Sequence, residues 1–291
     1  MVKRDKKMEK YTVNDFGKEF PNDNVCLEWI LNHRYPSGVF CLECEKVTKH
    51  HRVTNRSCYE CDYCGHQIYP LAGTIFNKSS TSLRTWFHAI YLMASTRCGI
   101  SAKQLQRETG VTYKTAWRMF KQIRTLLNED TGTLTGKIEA DETYIGGKRH
   151  GTRGRGAEGK TIVAGMVERQ GDVSATVVPD VQSNTLLPLI QNKTTPDSTI
   201  FTDEMPSYNK LNKMGYDHQV IPHCAKVYAI GDIHTNTIEG FWSLVKRGIS
   251  GVYHSVGPDY LQSYVNEYSF RYNHRKDETP MFTTFLNRIQ A

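Results

Sequence analysis

The chain has 291 residues, of which 38% are hydrophobic and 23% charged, and it carries a formal net charge of +7. That length accommodates a buried core and more than one domain, and the composition is that of a soluble protein. No apolar run approaches the roughly 20 residues that a bilayer span requires, and the start Met1-Val2-Lys3-Arg4-Asp5-Lys6-Lys7 lacks the apolar stretch of a secretory signal. The expectation is a cytoplasmic protein with no membrane partner.

Residues 1–20 are polar and read as an arm or short helix, and Asn24 to His33 places apolar residues at helical spacing, giving an N-terminal helical arm over 1–38. Eight cysteines in a cytoplasmic chain argue for metal rather than disulfides. Cys41-Leu42-Glu43-Cys44 and Cys61-Asp62-Tyr63-Cys64 form two C-x₂-C knuckles separated by 16 residues. Each knuckle offers two thiolates to one tetrahedral ion, so Cys41, Cys44, Cys61 and Cys64 are assigned one structural Zn²⁺ in a zinc ribbon over 39–78. His50, His51 and Cys58 lie between the knuckles and are read as bystanders, because four thiolates already close the site. His66 reads as a turn or surface residue, and Cys26, Cys98 and Cys224 as core or surface thiols.

A helix is expected from Leu83 to about Ala94, with Trp86, Phe87, Ile90 and Tyr91 on its apolar face. Residues 79–127 hold Arg84, Arg97, Lys103, Arg107, Lys114, Arg118, Lys121 and Arg124 against the single acid Glu108. Clustered cations on helices are the footprint of a phosphate-backbone binder, so double-stranded DNA is the expected partner. Within this region, 79–130, Ser101 to Gly110 and Val111 to Arg124 read as a helix-turn-helix. Ser101 caps the first helix, Gly110 ends it and Thr112 caps the second. Lys103 and Arg107 lie on the first helix. Tyr113, Lys114, Thr115 and Arg118 stand near the start of the second, where a recognition helix meets bases and phosphates.

From Lys137 the pattern changes to strands, expected at Lys137–Ile145, Thr161–Glu168, Ser174–Pro179, Ser198–Asp203 and His218–Ile221, with helices at Ser183–Gln191 and Ser207–Met214. A meander followed by β-α units indicates a ribonuclease-H-like mixed sheet within an α+β multidomain chain. The Gly-rich segment 146–156 between the first two strands carries Lys148, Arg149, Arg153 and Arg155 and reads as a loop suited to DNA backbone. Asp141 and Asp203 each close a β-branched or apolar run, as carboxylates at strand ends do. Glu239 follows in a helix-like stretch after 35 intervening residues. Hard divalent ions take oxygen ligands, so two strand carboxylates and one helix carboxylate read as a two-metal phosphoryl-transfer site. Glu142 and Glu204 follow the aspartates and are expected on the opposite strand face. His223 and His234 precede Glu239 and read as hydrogen-bonded structural histidines.

Four segments, Leu71 to Ser79, the helix-turn-helix, Glu139 to Lys148 and His234 to Arg247, together resemble one family. It is the bacterial insertion-sequence DDE transposases with an N-terminal zinc ribbon and an ISXO-like transposase domain, related to the Merlin transposons. The likeness runs from about residue 22 to about residue 285. It implies a ribonuclease-H-like catalytic domain over 136–280 that uses two Mg²⁺ (or Mn²⁺) ions, one activating water or a DNA 3′-hydroxyl and the other stabilising the leaving oxygen. Asp141 and Asp203 match the first two acids. The third position is open between Glu239 and Asn236, which share a helical face; some branches of the family have asparagine there, and Glu239 is favoured as the better Mg²⁺ ligand. Lys246 resembles the lysine that contacts transposon-end DNA, with Arg247 beside it, and Glu267 and Arg271 resemble a Glu/Arg pair that braces the site. The implied protein is a nucleoid-associated transposase that binds terminal inverted repeats, cleaves and joins strands, and works as a homodimer or higher synaptic oligomer. The alternatives are a zinc-ribbon and helix-turn-helix regulator with an inactive remnant domain, and a nuclease of the same fold without strand transfer.

Overall fold

The structure is a computed structural model that describes residues 10–146, 159–221 and 234–289. The chain divides into two compact units, residues 1–126 with 277–291, and residues 127–276. Among the described residues no helix is long and apolar enough to cross a membrane.

The first unit opens with α1 (Val13–Glu19) and α2 (Asp23–Arg34). Thr12 and Asp15 exchange the reciprocal bonds of a capping box at the start of α1, and the Asn22 side chain caps α2. The ribbon follows as a two-stranded antiparallel sheet of β1 (Val39–Cys41) and β2 (Lys46–Thr48). A three-stranded one is formed by β3 (His50–Arg52), β4 (Tyr59–Cys61) and β5 (Gln67–Ile68). Three helices complete the run, α3 (Leu83–Ser95), α4 (Ala102–Thr109) and α5 (Tyr113–Leu126). Trp86, Phe87 and Ile90 on α3 are buried, as their helical spacing requires.

The second unit is built on a five-stranded sheet of β6 (Lys137–Ile145), β7 (Thr161–Glu168), β8 (Val173–Val178), β9 (Thr199–Asp203) and β10 (Asp217–Ile221). Its order is β10-β9-β6-β7-β8, with β6, β7 and β8 antiparallel neighbours and β9 and β10 running parallel to β6. Alternation along β6 divides its side chains between two cores. Ile138 and Ala140 join Leu186 and Ile190 of α6 (Ser183–Lys193) on one face. The opposite face, with Val163 and Val167 of β7, is covered by Ile238, Phe241 and Trp242 of α7 (Asn236–Gly248) and Leu261 and Val265 of α8 (Pro258–Asn273). The outer edge of β8 is closed by α8 through side-chain amides: Gln262 and Asn273 accept from the Val177 and Val173 N–H groups and donate to the Ala175 and Val173 carbonyls.

The helix expected at Ser207–Met214 is instead two short 3₁₀ turns, Pro206–Tyr208 and Asn212–Met214. Tyr208 and Leu211 are both buried, and the three-residue repeat of a 3₁₀ turn brings residues at that spacing onto one face. Gly215, left-handed at φ 94°, stops the segment. The last helix, α9 (Met281–Leu286), returns to the first unit, where Phe282 packs on Phe16, Phe20 and Tyr91.

Candidate active site and metal centres

The four knuckle thiols converge. The ligand atoms of Cys41, Cys44, Cys61 and Cys64 all lie within 4.8 Å of one another, with Cys41 Sγ and Cys64 Sγ 3.4 Å apart. The Thr48 hydroxyl, 3.2 Å from Cys61 Sγ, leads the hydrogen bonds that pull this thiol down to about 6, joined by the Tyr63 and Cys64 backbone N–H groups. This all-sulfur donor set fits Zn²⁺. The neighbouring histidines have other partners: His51 Nδ1 meets Asp62 at 2.7 Å and His50 Nδ1 lies 3.0 Å from the Thr48 carbonyl.

The three candidate acids lie on β6, β9 and α7, and among the described residues only the four cysteines draw their ligand atoms close enough together to hold one ion. Asp203 is the last residue of β9, as expected, and its carboxylate accepts from the Met205 N–H at 3.0 Å. Asp141 is not at a strand end; it lies mid-way along β6. The pairing of β6 with β9 stops at Glu139–Phe201, while its pairing with β7 continues to Ile145–Thr161. Asp141 therefore sits just where the sheet opens on one side. Burial, then the negative charges of Glu142, Asp203 and Glu239, push Asp141 up to about 7. Glu239 is exposed on the first turn of α7, and its carboxylate accepts from the Thr235 hydroxyl at 3.1 Å. Asn236 is the first residue of α7 and is also exposed. A carboxyl raised by burial and by neighbouring negative charge, as Asp141 is, offers oxygen that a bound hard divalent cation would favour in its ionised form.

Two residues here carry no sequence signal of their own. Trp242 of α7 donates its indole N–H to Asp141 Oδ2 at 3.1 Å. Gly165, the β7 partner of Asp141, makes room for that indole: a Cβ at Gly165 would stand 2.6 Å from the Trp242 ring.

Glu142 does turn away from Asp141 and accepts from the Tyr208 hydroxyl at 3.2 Å in the other core. Glu204 lies past the end of β9 and is exposed, so strand alternation does not govern it. His234 is hydrogen-bonded, with Nδ1 3.2 Å from both Arg169 and Glu139. Glu267 and Arg271 form a buried ion pair with each other at 2.9 Å, and the Tyr253 hydroxyl donates to Glu267.

In the first unit, Lys103, Arg107, Tyr113, Lys114 and Arg118 are exposed. Ser101 caps α4, left-handed Gly110 ends it, and Thr112 accepts from the Thr115 N–H at the start of α5. Thr115 is half-buried, with its hydroxyl 3.0 Å from that of Thr112. Lys103 Nζ stands 4.9 Å from the Tyr113 ring centre, tying the two helices at their starts. Arg124 departs from the basic-surface expectation: it is 4% exposed, lying over Phe120 in the core. Lys246 and Arg247 are exposed on the last turn of α7. Lys148, Arg149, Arg153, Arg155, His223 and Cys224 lie outside the described residues.

The family model of the ISXO2-like transposase domain matches residues 133–273, close to the bounds of the second unit. The transposase zinc-ribbon model matches residues 21–67, which hold all four knuckle cysteines. A protein described as an uncharacterized transposase-like protein of Haemophilus influenzae is 35% identical over 101 residues, covering 35% of this chain and 80% of its own. The chain belongs to the ISXO2-like transposase family. A second relative, an uncharacterized protein in transposable element ISH50 of Halobacterium salinarum, is 29% identical to this transposase over 276 residues, covering 87% of this chain and 92% of its own. Two solved structures show weaker likeness. One chain comes from a simian T-cell lymphotropic virus intasome in complex with a PP2A regulatory subunit, at 18% identity and TM-score 0.30, covering 62% of this chain and 65% of that one. The other comes from a pre-cleavage Mos1 transpososome, at 12% identity and TM-score 0.27, covering 69% and 77%.

Proposed function

We propose that this transposase binds the terminal inverted repeats of its own insertion sequence and cleaves and joins DNA strands at a two-metal site formed by Asp141, Asp203 and Glu239. The observation that carries the reading is that Asp141, raised chiefly by burial and then by the charge of Glu142, also feels the charges of Asp203 and Glu239, at the point where the β6–β9 pairing ends. The sheet supports it: three antiparallel strands continued by two parallel ones, in the order β10-β9-β6-β7-β8, is the ribonuclease-H-like arrangement. Glu239 is preferred to Asn236 as the third ligand because it supplies charge where charge is felt.

The chain's own residues orient and hold. Trp242 fixes one oxygen of Asp141, the Met205 N–H fixes one of Asp203, and Thr235 fixes one of Glu239, so each carboxylate is held in a defined orientation. Two Mg²⁺ (or Mn²⁺) ions held by these carboxylates would supply charge neutralisation and an activated nucleophile for in-line displacement. The α4–α5 pair acts as a helix-turn-helix, with Lys103, Arg107, Lys114 and Arg118 on phosphates, Tyr113 at the recognition end, and Lys246 and Arg247 on the transposon end. The Zn²⁺-held ribbon is a second DNA-binding element. Handling two ends together calls for a homodimer or larger assembly on the nucleoid.

The test is joining of a labelled transposon-end duplex to plasmid. Mg²⁺-dependent cleavage and joining, abolished by chelator, is the expected result. Specific end binding without cutting in Mg²⁺ or Mn²⁺ would move the regulator reading ahead, and cutting without joining would leave a nuclease.

A further inference from the structure

One layer beneath the carboxylates lies a buried ion pair that touches every element of the site. Glu139, on the same face of β6 as Asp141 and two residues before it, is 0% exposed. Its Oε2 accepts from the backbone N–H groups of Thr237 at 2.7 Å and Ile238 at 3.0 Å, and its Oε1 accepts from the Thr237 hydroxyl at 2.9 Å. These N–H groups open α7, whose own N-cap residue Thr235 makes no side-chain cap. A strand carboxylate therefore caps the helix, where both the unpaired donors and the helix dipole favour negative charge. Arg169 neutralises it, donating from Nε to Glu139 at 2.7 Å and from Nη2 to the His234 carbonyl at 2.7 Å, while its guanidinium lies 4.2 Å from the Phe201 ring centre. Phe201 is the β9 residue paired with Glu139 and stands two before Asp203. The Glu139–Arg169 pair thus meets β6, β9 and α7 one step before each carries its acid.

We infer that Glu139, with Arg169, is a positioning residue: it sets the height of α7 on β6 and so brings Glu239 and Trp242 to Asp141. A buried ion pair is rarely kept for stability alone, since well-packed apolar residues stabilise as well or better. Here the charge does what an apolar side chain cannot, pinning two helix N–H groups at one point on a strand. The metal consequence rests on the reading of the acids as ligands; the placement of α7 does not.

The test uses the full-length, zinc-loaded protein labelled with 5-fluorotryptophan, which gives one ¹⁹F signal for each of four tryptophans. Trp242→Phe assigns the Trp242 signal. Glu139→Gln keeps the shape but puts an amide where an acceptor is needed. It is expected to move or split the Trp242 signal, leave those of Trp29, Trp86 and Trp117 in place, and raise the Mn²⁺ Kd by roughly tenfold or more, the usual cost of losing an outer-shell partner. An unmoved Trp242 signal overturns the inference, as does a moved signal with wild-type Mn²⁺ affinity in a protein that binds the ion. If the wild type binds no Mn²⁺ and the Trp242 signal still moves, the two-metal reading fails and the positioning role stands. Should Glu139→Gln not fold, the Glu139→Gln/Arg169→Met variant, which removes both charges, is read the same way.

Discussion

The indole N–H of Trp242 meets the carboxylate of Asp141 at 3.1 Å, so the helix that carries Glu239 is hydrogen-bonded directly to the acid on β6. Removing that bond with Trp242→Phe deprives a half-buried carboxylate of one of its donors. Hydrogen bonds to charged groups contribute about 1.5–3 kcal/mol, so a lower melting temperature and weaker divalent-ion binding are expected together. Calorimetry of the variant with and without Mn²⁺ checks this; unchanged ion affinity would show that Trp242 is only a packing residue.

Gly165 tests the same contact from the other side. A Cβ there stands 2.6 Å from the Trp242 ring and 3.3 Å from Ile238. Overpacking of this kind costs about 1–3 kcal/mol, so Gly165→Ala should lower thermal stability and strand cleavage, with the loss of cleavage exceeding that of Gly171→Ala. At Gly171 the nearest atoms an added carbon meets are those of the flexible side chain of Glu168.

The pH response has a defined sign. Asp141 is raised from an ordinary carboxylate value to about 7, chiefly by burial. Its neutral form is favoured in the fold, so the stability that Asp141 contributes to the metal-free protein is lost as pH rises from about 4 through 7. Metal binding must expel that proton, so Mg²⁺ affinity should rise over the same range and level off above it. Titrations in buffers of different ionisation enthalpy should show proton release near pH 6 that vanishes in Asp141→Asn.

On the DNA side, Lys114 and Arg118 are exposed while Arg124 is in the core. Lys114→Ala and Arg118→Ala should each weaken binding to any duplex and reduce the log–log salt slope by about 1. Arg124→Ala should instead lower the melting temperature and leave that slope alone.

What the sequence made legible was what short-range physics governs. Each knuckle brings its two thiols together through a local turn, and the caps at Ser101 and Thr112 are contacts over three residues. Strand alternation placed Glu142 on the face opposite Asp141. Alternation equally puts Glu139 on the Asp141 face, but nothing local shows that its partners are Arg169 and the start of α7, distant in sequence and joined only by the sheet. Arg124 misled for a related reason: charge counting cannot tell a guanidinium laid over an aromatic core from one facing solvent. The segment 206–214 missed because its buried pair, Tyr208 and Leu211, satisfies a 3₁₀ turn as well as an α-helix.

The most direct measurement is single-turnover strand joining in Mg²⁺ by wild type, Asp141→Asn, Asp203→Asn, Glu239→Gln and Asn236→Ala. A two-metal site of Asp141, Asp203 and Glu239 predicts that the first three variants lose roughly two orders of magnitude or more, while Asn236→Ala keeps most of the wild-type rate. A Glu239→Gln enzyme that joins strands like the wild type, beside an inert Asn236→Ala, would contradict the assignment and make asparagine the third ligand.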